Sequence, residues 1–215
     1  MQKRNRHPRH LTPNPGSRNW RTVPDQDFWL YARSFHAAAK QLAEAPEFDS
    51  AFADFAACPV VFMYRHALEL HLKALILGNG GNFLATKPDP LSIYKTHAVS
   101  WLAQFVVQIV TALQWEPEFK CPGVGNLNDF KAVIENIRSV DSGSYAFRLP
   151  VTAEALGSVP REATFNVREF ATTMDGLLEL LDSTADALAA EWDLRSDATA
   201  MGVEANGSGF EPTIQ

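Results

Sequence analysis

A strip of three charged residues runs through an otherwise apolar stretch of the sequence. Residues 59–77 are apolar almost throughout, yet Arg65, Glu69 and Lys73 recur there at four-residue spacing. On an α-helix, with about 100° per residue, this spacing places the three side chains on one face. Charged groups on a buried helix must pair with each other, with a partner chain or with a ligand. The strip is therefore either a set of structural ion pairs or the floor of a polar pocket.

Three histidines are candidates for chemistry near this strip. His66 and His71 flank it, but their five-residue separation does not match the four-residue spacing of a helical zinc-binding pair. We therefore expect no metal site and no cofactor. His97 follows Thr96 at a predicted helix start, where it either hydrogen-bonds the turn or contributes to a site.

A second group of candidates lies in an irregular stretch that follows a predicted short helix. Asp141 and Arg148 bracket a Ser-Gly-Ser-Tyr loop that ends at Tyr145. The expected role of the acid and the arginine is a salt link that holds this loop on the protein. The alternative is a contact from this cleft to a phosphate group.

Helical spacing of apolar residues recurs in five segments, and strand patterns are almost absent, which predicts an all-α protein. Pro59 lies inside the second segment and must either kink that helix or begin a new one. The first segment carries four aromatic residues, Phe28, Trp29, Tyr31 and Phe35, whose helical spacing predicts that they belong to the core. The predicted helices cover about residues 27–44, 51–77 and 96–114, a short stretch after Asn126, and 166–194.

Length and charge divide the chain into one domain and two tails. The chain has 215 residues, of which 46% are hydrophobic, enough to bury one core. Residues 1–22 hold six basic and no acidic residues, so residues 1–24 are predicted to be a basic, flexible arm that could touch nucleic acid. Residues 25–195 are the predicted helical domain. Residues 196–215 lack periodicity and are predicted to be disordered.

The two cysteines and the distribution of apolar residues predict where in the cell the protein is located. Cys58 and Cys121 lie far apart and form no Cys-x-x-Cys pair, which argues against a disulfide scaffold and against a zinc finger. No apolar segment follows the basic N-terminus, and no apolar run reaches the ~18 residues that a membrane span needs. We expect a cytoplasmic protein without membrane association.

Three short segments resemble the HEPN superfamily (higher eukaryotes and prokaryotes nucleotide-binding domain). They are residues 64–76 (YRHALELHLKALI), residues 95–99 (KTHAV) with Leu102, and Asp141 followed by residues 147–150 (FRLP). The resemblance implies an up-and-down bundle of four or five helices that commonly dimerises. It also implies a role in toxin-antitoxin, phage-defence or RNA-processing systems.

Many HEPN proteins are metal-independent ribonucleases with an Arg-x4-6-His motif, which Arg65 and His71 match in this chain. The resemblance implies that the arginine stabilises phosphate charge and that the histidine transfers protons. The family usually carries the motif in a later helix, near residues 136–138. On one continuous helix Arg65 and His71 project about 120° apart, so they share a site only across a kink or a dimer seam.

Two functional hypotheses follow. The first is an RNA-associated, HEPN-like homodimer of toxin-antitoxin or phage-defence type that cleaves RNA without a metal, with an antitoxin or other partner protein. The second is a non-catalytic bundle that binds a partner protein or a nucleotide. The candidate catalytic residues are Arg65, His71 and Glu69, and the candidate binding residues are Lys73, His97, Asp141, Tyr145 and Arg148.

Overall fold

A computed structural model of the chain describes residues 24–44, 53–141, 147 and 166–200. These residues form six α-helices and one 3₁₀ helix, with no strand among them, so the all-α prediction is confirmed. The predicted N-terminal arm, apart from residue 24, and residues 201–215 of the predicted tail lie outside the described residues. The helices are α1 (Pro24–Ala43), α2 (Ala53–Leu77), the 3₁₀ helix (Asn79–Phe83), α3 (Pro90–Lys95), α4 (Val99–Ala112), α5 (Leu127–Val140) and α6 (Val167–Ala200).

Helix α2 is the centre of the bundle. It packs against α1, α4 and α6, which surround it on different sides. Apart from its charged strip and histidines, its sequence from residue 59 is apolar almost throughout, and Leu68 and Leu72 are completely buried. A helix that is apolar on every side is stable in water only when other helices cover each side, which explains this central position.

Of the two alternatives predicted at Pro59, a kink or the start of a new helix, the start of a new helix is wrong. Helix α2 is a single element that continues through Pro59, and the proline ring is exposed to solvent. Pro59 lies in the second turn, where the missing N–H group costs one hydrogen bond close to the helix start and leaves the later turns intact. The segment from Val60 to Leu77, which carries the charged strip, is therefore part of one helix.

Two predicted boundaries differ from the structure. An additional short helix, α3, forms where a loop was expected, because Asp89 caps it by accepting a hydrogen bond from the Ser92 N–H (3.1 Å) and Pro90 is its first residue. Thr96–Ala98 then link α3 to α4. Helix α6 continues to Ala200, beyond the predicted end near Leu194, and its last turns are polar and exposed.

The predicted aromatic core near the chain start is only partly correct. Phe35 packs against the core, whereas 44% of Tyr31 is exposed. Phe28 stacks on Tyr94, and Trp29 lies beneath the guanidinium of Arg33. Helical spacing cannot distinguish a side chain facing the core from one that lies at the edge of the buried face.

A tight turn at Cys121–Val124 contacts α6. Two backbone hydrogen bonds join Cys121 and Val124, and Gly123 takes φ +85°, a conformation that favours glycine. Gly176 of α6 faces this turn, since a Cβ atom there would lie 3.2 Å from the Pro122 carbonyl oxygen. The turn therefore ties the chain between α4 and α5 to the side of α6.

None of the described helices has the length and apolar character required to cross a membrane.

Candidate functional site

Arg65 lies at the centre of α2 and is 1% exposed. Its Nη1 donates to Glu69 Oε2 (3.0 Å), and its Nη2 donates to the backbone carbonyl of His97 (2.6 Å). Its Nε lies 3.2 Å from Asp141 Oδ2 at the end of α5. One guanidinium therefore joins α2 to the α3–α4 link and to α5.

Glu69, one turn later, is the second connecting residue. Its Oε1 accepts a hydrogen bond from Lys73 Nζ (2.9 Å), and Lys73 also donates to the Tyr94 carbonyl (3.2 Å). The Nδ1 atom of His97 lies 3.0 Å from the same Oε1. Since a carboxylate only accepts hydrogen bonds, Nδ1 carries the proton here. We call Arg65, Glu69, Lys73, His97 and Asp141 the Glu69 network.

The charges of the Glu69 network balance. Two cations, Arg65 and Lys73, face two carboxylates, Glu69 and Asp141, and all four are at most 3% exposed. Burial by itself raises the pKa of Glu69, but the hydrogen bonds and charges of Lys73, Arg65 and His97 outweigh it and hold that pKa below its usual value. The strip predicted from the sequence thus forms ion pairs within one chain.

His97 is the only exposed member of the Glu69 network. About half of its side chain, 54%, is open to solvent. Its backbone is held by Arg65 and its ring by Glu69. A histidine whose Nδ1 is oriented by a carboxylate presents Nε2 for proton exchange, which is the arrangement of many acid-base histidines.

His71 belongs to a different set of contacts. Its Nδ1 lies 2.9 Å from the Ala67 carbonyl, and its Nε2 lies 3.4 Å from Asp182 Oδ1 on α6. Arg33 Nε of α1 donates to the other oxygen of Asp182 (2.7 Å). Burial alone raises the pKa of Asp182, but contacts with His71 and Arg33 outweigh it and lower that pKa. Within one chain, the described contacts therefore place Arg65 and His71 in two separate groups.

A carboxylate of α6, Asp175, has three partners that the sequence pattern did not indicate. The Tyr64 hydroxyl donates to Asp175 Oδ1 (2.8 Å), and His36 Nε2 lies 2.7 Å from the same oxygen. Lys40 approaches the other Asp175 oxygen at 3.8 Å. We call these residues the α1–α6 interface, and its members are Arg33, His36, Lys40, Tyr64, His71, Asp175, Glu179 and Asp182.

A sequence signal for this interface exists. Basic residues recur on α1 at intervals of three and then four residues, as Arg33, His36 and Lys40. Acidic residues recur on α6 at intervals of four and then three, as Asp175, Glu179 and Asp182. Two complementary stripes of this kind indicate two helices that pack side by side. The stripes are about 140 residues apart in the chain, so neither one identifies the other.

A cavity of about 620 Å³ adjoins the Glu69 network. Arg65 and Asp141 contribute to its lining, together with residues of α5 and α6. This volume is within the range of small-molecule sites. The predicted binding residues Tyr145 and Arg148, and with them the predicted Asp141–Arg148 salt link, lie outside the described residues.

In the part of the chain that the structure describes, no three His, Cys, Asp or Glu side chains are grouped closely enough to hold a metal ion. Comparison of the chain with protein-family profiles, with curated proteins and with solved structures gives no match. The HEPN resemblance therefore stays a hypothesis that the helical fold agrees with.

Proposed function

We propose that this chain is a non-catalytic, HEPN-like helical module that binds a partner molecule and does not cleave RNA. The observation that carries the proposal is the separation of Arg65 and His71, the two residues that match the ribonuclease motif. The guanidinium of Arg65 contacts Glu69, the His97 carbonyl and Asp141. The ring of His71 contacts the Ala67 carbonyl and Asp182 instead.

Burial supports the same conclusion. Arg65 and His71 are 1% and 3% exposed, so neither reaches a phosphate or a ribose hydroxyl in solution. An arginine already neutralised by two carboxylates also offers little stabilisation to a developing phosphate charge. The polar strip acts mainly in specifying how α2 packs against its neighbours.

Ribonuclease activity remains the second candidate because of one specific feature, the exposed His97 held by Glu69. This pair has the geometry of an oriented acid-base histidine. The cations of the same network, Arg65 and Lys73, are buried, so within the Glu69 network no exposed cation is available to bind the phosphate. For this reason the binding module is preferred.

The test is incubation of the purified chain with labelled tRNA and single-stranded RNA in EDTA. We expect no cleavage by the wild type, nor by Arg65→Ala, His71→Ala or His97→Ala. Expression in bacteria should correspondingly slow growth no more than expression of Arg65→Ala does.

Cleavage that His97→Ala abolishes, while the exposed neighbour variant Lys95→Ala retains it, would overturn the proposal in favour of the second candidate. Because His97 is exposed, its loss leaves the core intact, and circular dichroism checks this directly. Cleavage lost in both folded Arg65→Ala and His71→Ala would instead restore the site that the family motif implies.

The family resemblance also supplies the expected partners and location of this proposal. They are a second copy of the chain, an antitoxin or defence-system protein, and the cytoplasm. Exposed apolar side chains on α1, namely Leu30, Tyr31 and Leu42, offer a surface for a homodimer. Light scattering of the purified chain measures the oligomeric state.

A further inference from the structure

Among the described residues, α5 and α6 make little direct contact with each other. Helix α5 packs mainly on α4, whereas α6 packs on α2 and α1. Val61 and Arg65 of α2 lie at the bottom of the space between α5 and α6, and the turn at Gly123 closes one end. The 620 Å³ cavity lies between these described elements.

The walls of the cavity are mainly apolar. Helix α5 contributes Val133 and Ile137, and helix α6 contributes Phe170 and the fully buried Met174. Phe147 adds a second aromatic ring. Walls of this composition favour a ligand with an apolar or aromatic body, because its surface leaves water on binding.

Among the described residues that line the cavity, the charges favour a cation over an anion. At the bottom, Arg65 and Asp141 belong to the Glu69 network, whose buried charges balance. At the rim, Glu169 in the first turn of α6 is exposed and adds a negative charge. Arg168, its neighbour in sequence, lines a different and smaller cavity beside Tyr64.

The start of α6 does not offset this preference. Exposed N–H groups at a helix start often attract an anion. Here the side chain of Asn166 already accepts hydrogen bonds from the N–H groups of Arg168 (3.1 Å) and Glu169 (3.2 Å). Nucleotide phosphates would therefore meet a carboxylate at the rim and a capped helix.

We propose that this cavity binds a small organic ammonium ion with an aromatic or apolar body. The apolar part packs between Val133 and Phe170, and the ammonium group lies at the rim beside Glu169. This inference rests on the proposed function, since it names the class of molecule that the binding module takes.

The test uses two probes with the same ring system and opposite charge, 2-naphthylmethylammonium and 2-naphthoate, with ATP as a third. Titration calorimetry with the full chain measures each affinity. We expect the ammonium probe to bind more tightly than the carboxylate by at least about fivefold at low salt, and ATP to bind more weakly still.

Two variants locate the probe. Val133→Phe fills part of the cavity and should weaken the ammonium probe by about tenfold or more. Asn136→Trp narrows the same cavity from an exposed position on α5 and should also weaken the ammonium probe. This variant locates the probe if Val133→Phe does not fold. Binding of the ammonium probe that neither folded variant weakens would place the probe elsewhere and overturn the proposal.

A matched pair of variants tests the rim charge. Glu169→Gln should lower the affinity of the ammonium probe by about threefold, a typical effect of one exposed charge. Glu179→Gln removes the same charge from α6 outside the cavity and should leave the affinity unchanged. Equal losses in the two variants would reduce the effect to net charge alone and contradict the assigned position.

Failure of this inference is distinguishable from failure of the proposed function. Equal or tighter binding of 2-naphthoate or ATP, or no binding of any probe, overturns the ligand class while RNA remains uncleaved. Cleavage of RNA overturns the proposed function whether or not the ammonium probe binds.

Discussion

Helix α2 carries polar groups on two sides, and the charged side chains on the two sides differ in their exposure to solvent. The Glu69 network joins α2 to the α3–α4 link and α5, and its four charged side chains other than His97 are almost completely buried. The α1–α6 interface joins α2 to the outer helices, and Arg33 and Lys40 there are about half exposed. Ion pairs of the first kind are costly to break, whereas those of the second kind are screened by water and salt.

The largest effect should come from breaking the Glu69 network at Arg65. In Arg65→Met the carboxylates of Glu69 and Asp141 lose a shared cation inside the protein. Removing one partner of a buried pair costs about 3–5 kcal/mol of unfolding free energy. Urea denaturation followed by circular dichroism measures this loss. A loss below about 1 kcal/mol would mean that water reaches the network and that the two sides do not differ.

The variant Glu69→Gln tests how the Glu69 network makes the unfolding free energy depend on pH. The variant keeps the shape but removes the charge that Arg65, Lys73 and His97 face, and it should cost about 2–3 kcal/mol near pH 7. The folded pKa of Glu69 lies below its unfolded value, so the folded state is stabilised above the unfolded pKa.

That part of the stability is lost as pH falls from the unfolded value, about 4.3, through the folded pKa. The unfolding free energy of the wild type should therefore fall more steeply in this window than that of Glu69→Gln. Parallel denaturation curves from pH 6 to pH 3 measure the difference. Identical slopes would contradict the assigned ion pairs.

The smallest effect should come from Lys40→Met at the α1–α6 interface. Lys40 lies 3.8 Å from Asp175 and 3.9 Å from Glu179, and about half of its side chain is exposed. Its loss should cost about 0.5 kcal/mol or less, and the cost should vanish in 1 M salt. Thermal unfolding at two salt concentrations checks this. A salt-independent loss comparable to that of Arg65→Met would remove the distinction between the two sides.

The spacing of residues in the sequence predicted the contacts that form within a single helix. The four-residue interval of Arg65, Glu69 and Lys73 is itself the reason that these side chains pair on one helix face. Apolar periodicity likewise located the centre of α2. The six-residue helix α3 is too short for a periodic signal, and the polar end of α6 has no buried face to produce one.

Long-range partners could not be predicted in the same way. The sequence marks His97 and Asp141 as candidates, but only the packing of α4 and α5 brings them to Arg65. The pairing of His36 with Asp175 spans 139 residues and depends on how α1 and α6 approach each other. Spacing fixes which residues share a helix face, and the tertiary fold decides which faces meet.

The long sequence separation between α2 and α6 has a consequence during biosynthesis. Tyr64 and Asp175 are 111 residues apart, and Arg33 and Asp182 are 149 apart. While the ribosome is still producing the segment between them, the side of α2 that carries Tyr64 and His71 lacks its covering helix. The nascent chain therefore completes this part of its core only after α6 has been synthesised, and until then an apolar side of α2 is exposed to non-native contacts.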